Sequence, residues 1–169
     1  MLQTLWQTFI ELIVTPFQHT ELIWGIVPVY FGLLLNELTS AKANFRTALQ
    51  TGFSFLWSGA QWLWPYFVPH AADRHYLELN TMLPVNLLVT FLVLAMGAVA
   101  LFSGIRQKFP KHCRFLGQTR FANYFMIAIF PIQSHVLPWT WVRLETIVLF
   151  AIPVWLALHF GLMPVRSQK

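Results

Sequence analysis

The chain has 169 residues, 57% of them hydrophobic and 10% charged, where soluble domains carry roughly 45–50% and 25%. Its mean hydropathy is +0.58, and a soluble fold of this length would need far more charge to cover its surface, so the expected solvent is a bilayer. A net charge of +5 would suggest nucleic acid for a soluble protein, but membrane proteins concentrate Lys and Arg on the cytoplasmic side, and no nucleic-acid partner is expected.

The first predicted element is residues 1–17. Leu2, Leu5, Trp6, Phe9, Leu12 and Ile13 recur at helical spacing with Gln3, Gln7 and Glu11 away from them. This is the pattern of an amphipathic helix lying in the membrane interface, ended by Pro16. Its polar face has no Lys or Arg, so packing against the outer ends of a helix bundle is as natural as binding anionic lipid. Residues 1–10 also lack the basic start and cleavage site of a secretory signal.

Residues 18–169 read as one transmembrane domain. Stretches free of Asp, Glu, Lys and Arg cover 22–36, 47–69, 79–105, 121–142 and 146–165. About 20 residues cross a hydrocarbon core, which predicts spans near 20–38, 47–69, 81–105, 119–136 and 141–164. The first is the shortest and must extend through Glu21 and Glu37. The fold class is therefore all-α: a polytopic integral membrane bundle of about five helices plus the N-terminal interfacial helix.

Orientation follows from the connections. With the first span starting outside, Lys42 and Arg46 are cytoplasmic, as is the loop bearing Arg106, Lys108, Lys111, Arg114 and Arg120, and so is the tail with Arg166 and Lys169. Only Arg74 and Arg143 are then left outside, as the positive-inside bias requires. The expected location is the cell (inner) membrane, with the N-terminus outside and the C-terminus cytoplasmic. Trp24, Trp62, Trp64, Tyr66, Tyr76, Trp139 and Trp141 map near outer span ends, where amphipathic rings anchor at headgroup level.

Polar side chains at bilayer depth are where function would show. In the second span Gln50, Ser54, Ser58 and Gln61 recur every three or four residues as one stripe. Its ordinary use is interhelical hydrogen bonding, at about 0.6 kcal/mol per contact; a solute pathway is the alternative. The third span carries Asn86 and Thr90 one turn apart, and a ridge of Gly97, Ala100 and Gly104 that permits close helix approach. In the fourth, Pro131 removes a helical hydrogen bond, and Gln133, Ser134 and His135 are near enough to partner the freed carbonyls. Arg143 and Glu145 open the fifth span, which Pro153 interrupts and which holds His159 near its inner end.

No metal site is expected. His70 and His75 flank Asp73 in an outer loop, but no HExxH, CxxC, Walker or serine-elbow pattern occurs. The basic loop serves as the topology determinant and is also able to dock acidic headgroups or an acidic partner. With no catalytic residue or cofactor singled out, the leading expectation is a non-catalytic subunit of a larger membrane complex of secretion, respiratory or oxygenase type. Its partners would be the lipid bilayer and other membrane subunits, or further copies of itself. The alternative is a small oligomeric transporter or channel using the polar face of the second span. A lipid-acting enzyme would have to gather His135, Arg143 and Glu145 with His70, Asp73 and His75.

Overall fold

The computed structural model describes residues 1–39, 45–67, 82–107, 119–162 and 164, and among them every regular element is a helix. In chain order these are α1 (Leu2–Gln18), α2 (Thr20–Thr39), α3 (Phe45–Phe67), α4 (Leu83–Arg106), α5 (Thr119–Gln133) and α6 (Trp141–Gly161). Two of them, α4 with 24 residues and α6 with 21, are long and apolar enough to cross a membrane. Shorter apolar stretches run through α2 at Leu22–Leu35 and α5 at Ala122–Gln133.

The long helices start where local chemistry dictates. Pro84 sits in the first turn of α4, where its missing N–H costs nothing. Thr140 caps α6 by accepting from the Arg143 N–H at 3.3 Å. At the other end of α4, Arg106 lies in the last turn, where a cation suits the helix dipole. Its guanidinium lies 5.1 Å from the centre of the Phe102 ring.

Both long helices are polar or small inside and large and apolar outside. The buried stripe of α4 is Asn86, Thr90, Val93, Gly97, Ala100, Ser103 and Gly104. Its outward residues include Leu88 and Phe91, each 60% exposed, and Ile105 at 65%. On α6 the buried residues are Thr146, Ile147 and Ala151, while Val148, Leu149, Ile152 and Phe160 face out. A soluble amphipathic helix has the opposite arrangement.

The small residues let α3 and α4 come close. A Cβ on Gly52 would lie 2.6 Å from the Leu101 amide nitrogen and 2.9 Å from the Gly97 carbonyl oxygen. The hydrophobic core divides in two. Ile26, Val29, Phe55, Trp62, Met126 and Phe130 form one cluster between α2, α3 and α5. Leu12, Tyr124, Ala128, Ile132, Ile147 and Ala151 form the other between α1, α5 and α6. Trp62, expected as an interfacial anchor, is buried beside Phe130 with ring centres 5.8 Å apart.

α1 runs along α6 in the opposite direction. Phe9 stacks on Phe150 at 4.5 Å, and further along α1 the Glu11 carboxylate meets Arg143, nearer the start of α6. Leu12 between them is completely buried. The helix also continues through Pro16 to Gln18 rather than stopping at the proline. Burial of Thr15 and Pro16 against the bundle holds that last turn in place.

Candidate functional site

The polar stripe of α3 faces α2, and the reason lies in Pro28. A proline has no N–H, so the Trp24 carbonyl four residues earlier loses its helical donor. Trp57 Nε1 on α3 donates to that oxygen at 2.7 Å. At the next residue of each helix, Ser58 Oγ donates to the Gly25 carbonyl at 3.5 Å. Ser54 Oγ lies 3.1 Å from the Pro28 carbonyl and 2.9 Å from that of Gln50. The serines are thus consumed in joining two helices. Gln61 is half-buried near Gly25, and Gln50 Oε1 is buried with no hydrogen-bond partner.

A second polar cluster forms where α5 ends. Beyond Gln133 the chain turns sharply: Ser134 N–H bonds to the Phe130 carbonyl, His135 N–H to Ile132, and the Val136 and Leu137 N–H groups both to Pro131. The turn requires φ = 62° at His135, a left-handed conformation in which His is enriched among non-glycine residues. It points the imidazole inward, where it is buried. Ser134 stays half-buried at the turn.

Asn86 of α4 is the hub of this cluster. Its Oδ1 accepts from Trp139 Nε1 and from Gln133 Nε2 at 3.5 Å. Gln133 Oε1 in turn accepts from the Thr90 hydroxyl at 3.2 Å. Asn86 Nδ2 lies 3.4 Å from His135 Nδ1, and His135 Nε2 lies 2.8 Å from the Tyr66 hydroxyl of α3. The Trp139 indole N–H, which can only donate, fixes which end of the Asn86 amide is oxygen. The amide N–H therefore meets His135 Nδ1, which must accept, and the imidazole proton sits on Nε2. The cluster joins α3, α4 and the segment after α5, and each of its buried amide ends is matched.

Arg143 is held apart from it. Its Nη1 donates to the Pro138 carbonyl at 2.7 Å, and its Nη2 lies 3.3 and 3.2 Å from the two Glu11 carboxylate oxygens. That pair links α1 to the start of α6. Glu145 is exposed. The grouping needed for lipid chemistry is therefore divided: His135 bonds to Tyr66 and Asn86, Arg143 bonds to Glu11, and His70, Asp73 and His75 lie outside the described residues. Among the described residues no group of three His, Cys, Asp or Glu side chains is placed to hold a metal ion. Of the basic loop, Arg106 is exposed; Lys108, Lys111 and Arg114, and the side chain of Arg120, lie outside the described residues.

Sequence reasoning singled out Asn86, Thr90, Gln133 and His135 but not Tyr66 and Trp139, which looked like surface anchors. Their signal was present in kind, since a Tyr or Trp near polar residues at bilayer depth has a hydroxyl or indole N–H to satisfy. No known family's model matches this chain, and neither a curated protein nor a solved structure shows a significant match to it.

Proposed function

We propose that the chain is an integral membrane protein in which α2 to α6 are the five expected spans and α1 is inserted beside α6 as a sixth, acting as a non-catalytic subunit of a larger membrane assembly. The observation that carries the reading is the reversed polarity of α4 and α6. A soluble monomer rarely exposes a contiguous apolar patch beyond roughly 300–600 Å², whereas these helices present large side chains outward along their length. Hydrocarbon, or another subunit, is the surrounding that tolerates this. The positive-inside bias of the basic segments supports a cytoplasmic position for the Arg106 end of α4.

The subunit role rests on two further features. The hydrogen-bonding groups of Ser54, Ser58, Asn86, Gln133 and His135 are committed to internal contacts, which suits a scaffold. On α1, by contrast, Gln3 and Gln7 are exposed, one turn apart. Since α1 runs along α6, Phe9 at the level of Phe150 sets Met1 about 12 Å further toward the Gly161 end. The two glutamines then stand at bilayer depth, where lipid offers them nothing and a neighbouring chain's polar groups do. In this reading α1 is inserted beside α6 instead of lying in the interface, and the chain begins on the cytoplasmic side instead of outside.

Purification of the tagged protein from its native membrane in mild detergent, sized on a native gel, tests the role. The expected result is a stoichiometric complex with other membrane proteins, which a Gln3→Leu, Gln7→Leu double variant dissociates while its own helical fold survives. Recovery of a monomer or a pure homo-oligomer would sink the subunit reading.

A further inference from the structure

We infer that the groove between α2 and α3 binds one anionic glycerophospholipid, with an acyl chain in the groove and the phosphate at Arg46. The inference rests on the membrane reading above. The groove encloses about 340 Å³, within the roughly 300–1,000 Å³ of small-molecule sites. Val27, Phe31 and Leu35 of α2 and Phe53 of α3 are its apolar walls, with Gly32 and Ser54 between them. The two helices nearly touch there: a Cβ on Gly32 would lie 2.6 Å from Ser54 Oγ.

Polarity along the groove runs as it does along a lipid. At the Val27 end the lining is hydrocarbon, and the Ser54 hydroxyl in the floor is already taken by the Pro28 and Gln50 carbonyls. Water would find little beyond the Ser54 oxygen there, short of the several partners a buried water needs, and an empty cleft forfeits dispersion contacts, so a chain from the bilayer is the occupant that fits. Toward the start of α3 the groove reaches Gln50, whose buried Oε1 lacks a hydrogen-bond partner. One turn further, on the same face of the helix, Arg46 is exposed. Apolar walls, then the amide of Gln50, then a cation match an acyl chain, the ester carbonyls of the glycerol region, which accept an amide N–H, and a phosphate. The Arg46 end is the cytoplasmic one, the leaflet rich in anionic lipid.

The test uses the full-length protein in mild-detergent micelles with phosphatidylglycerol carrying a diazirine in its acyl chain, and maps the cross-linked residues. Saturable labelling is expected at Phe31 and Phe53, competed by unlabelled phosphatidylglycerol and far less by phosphatidylcholine. Arg46→Gln should weaken that competition roughly five-fold. Val27→Trp, which fills the groove, should remove the saturable labelling while leaving the unfolding temperature near that of the wild type. Leu92 and Ile152, on the outward faces of α4 and α6, should label without saturation. Labelling at Phe31 and Phe53 that is equally unsaturable, or that survives Val27→Trp, would overturn the lipid site alone. So would a dimer whose inter-chain cross-links cover Phe31 and Phe53. Failure of Leu92 and Ile152 to label would instead refute the membrane reading, and the lipid site with it.

Discussion

Replacing Asn86 by Leu should lower the unfolding free energy by about 3 kcal/mol. Leu has the same branched skeleton as Asn and is the bulkier of the two, so the loss comes from bonding and not from a cavity. Three groups lose their partner at once: Trp139 Nε1, Gln133 Nε2 and His135 Nδ1. Each orphaned buried group costs about 1–3 kcal/mol when no substitute is found. A membrane bundle reduces that toward about 0.6 kcal/mol for each bond that the surroundings can replace. Three together still exceed any single deletion. Thr90→Val, at the edge of the cluster, breaks only the bond to Gln133 Oε1 and should cost about 1 kcal/mol or less. Reversible unfolding of both variants in mixed micelles would separate them. Equal, small effects would mean that the cluster does not hold α4 to the turn after α5.

Gly52→Ala should be at least as damaging, for a different reason. The added methyl would meet backbone, at 2.6 Å from the Leu101 nitrogen and 2.9 Å from the Gly97 oxygen. Backbone within a helix cannot step aside, so α3 and α4 must separate along their seam. Overpacking costs typically about 1–3 kcal/mol and more where nothing gives, and about 3 kcal/mol is expected here. Gly59→Ala provides the contrast. Its methyl would lie 2.6 Å from Leu94 Cδ2 and 2.7 Å from Leu94 Cγ, side-chain atoms that a turn about the Cα–Cβ bond can carry away, and the cost should stay below that of Gly52→Ala, at about 1–2 kcal/mol. At Gly161 nothing lies within 4 Å, so Ala should be neutral or stabilise by up to about 1 kcal/mol through helix propensity. Thermal unfolding of the three variants would give this order; a mild Gly52→Ala would show that the two helices are not as closely seated.

Much of the helix layout was legible because it depends on neighbours in sequence. The charge-free stretch from 79 to 105 holds nearly all of α4. The charge-free stretch from 146 to 165 holds most of α6. The missing N–H of Pro28 could also be read locally, but its remedy, the Trp57 indole, lies 33 residues away. The Asn86 cluster shows the same limit. Spacing marks Asn86 and Thr90 as one face of a helix, yet Trp139 is 53 residues and Gln133 47 residues from Asn86. Which polar groups meet is set by how helices cross, and periodicity within one helix carries no information about that. For α1, the amphipathic pattern was plain, and the covering surface was not. Its apolar side packs on Tyr124, Ile147 and Phe150, so a pattern that also suits a flat interface serves here as a packing seam.

Cysteine accessibility in native membranes tests the central claim, that the outward faces of α4 and α6 lie in hydrocarbon. In a Cys113→Ser background, single cysteines would replace Leu92, Ile152, Trp141 and Arg106 and be exposed to a membrane-impermeant maleimide. The account predicts that Leu92→Cys and Ile152→Cys stay unreactive in intact and permeabilised membranes. Trp141→Cys should react from outside, and Arg106→Cys only after permeabilisation. Rapid modification of Leu92→Cys and Ile152→Cys in unperturbed membranes would place those faces in water and contradict the account.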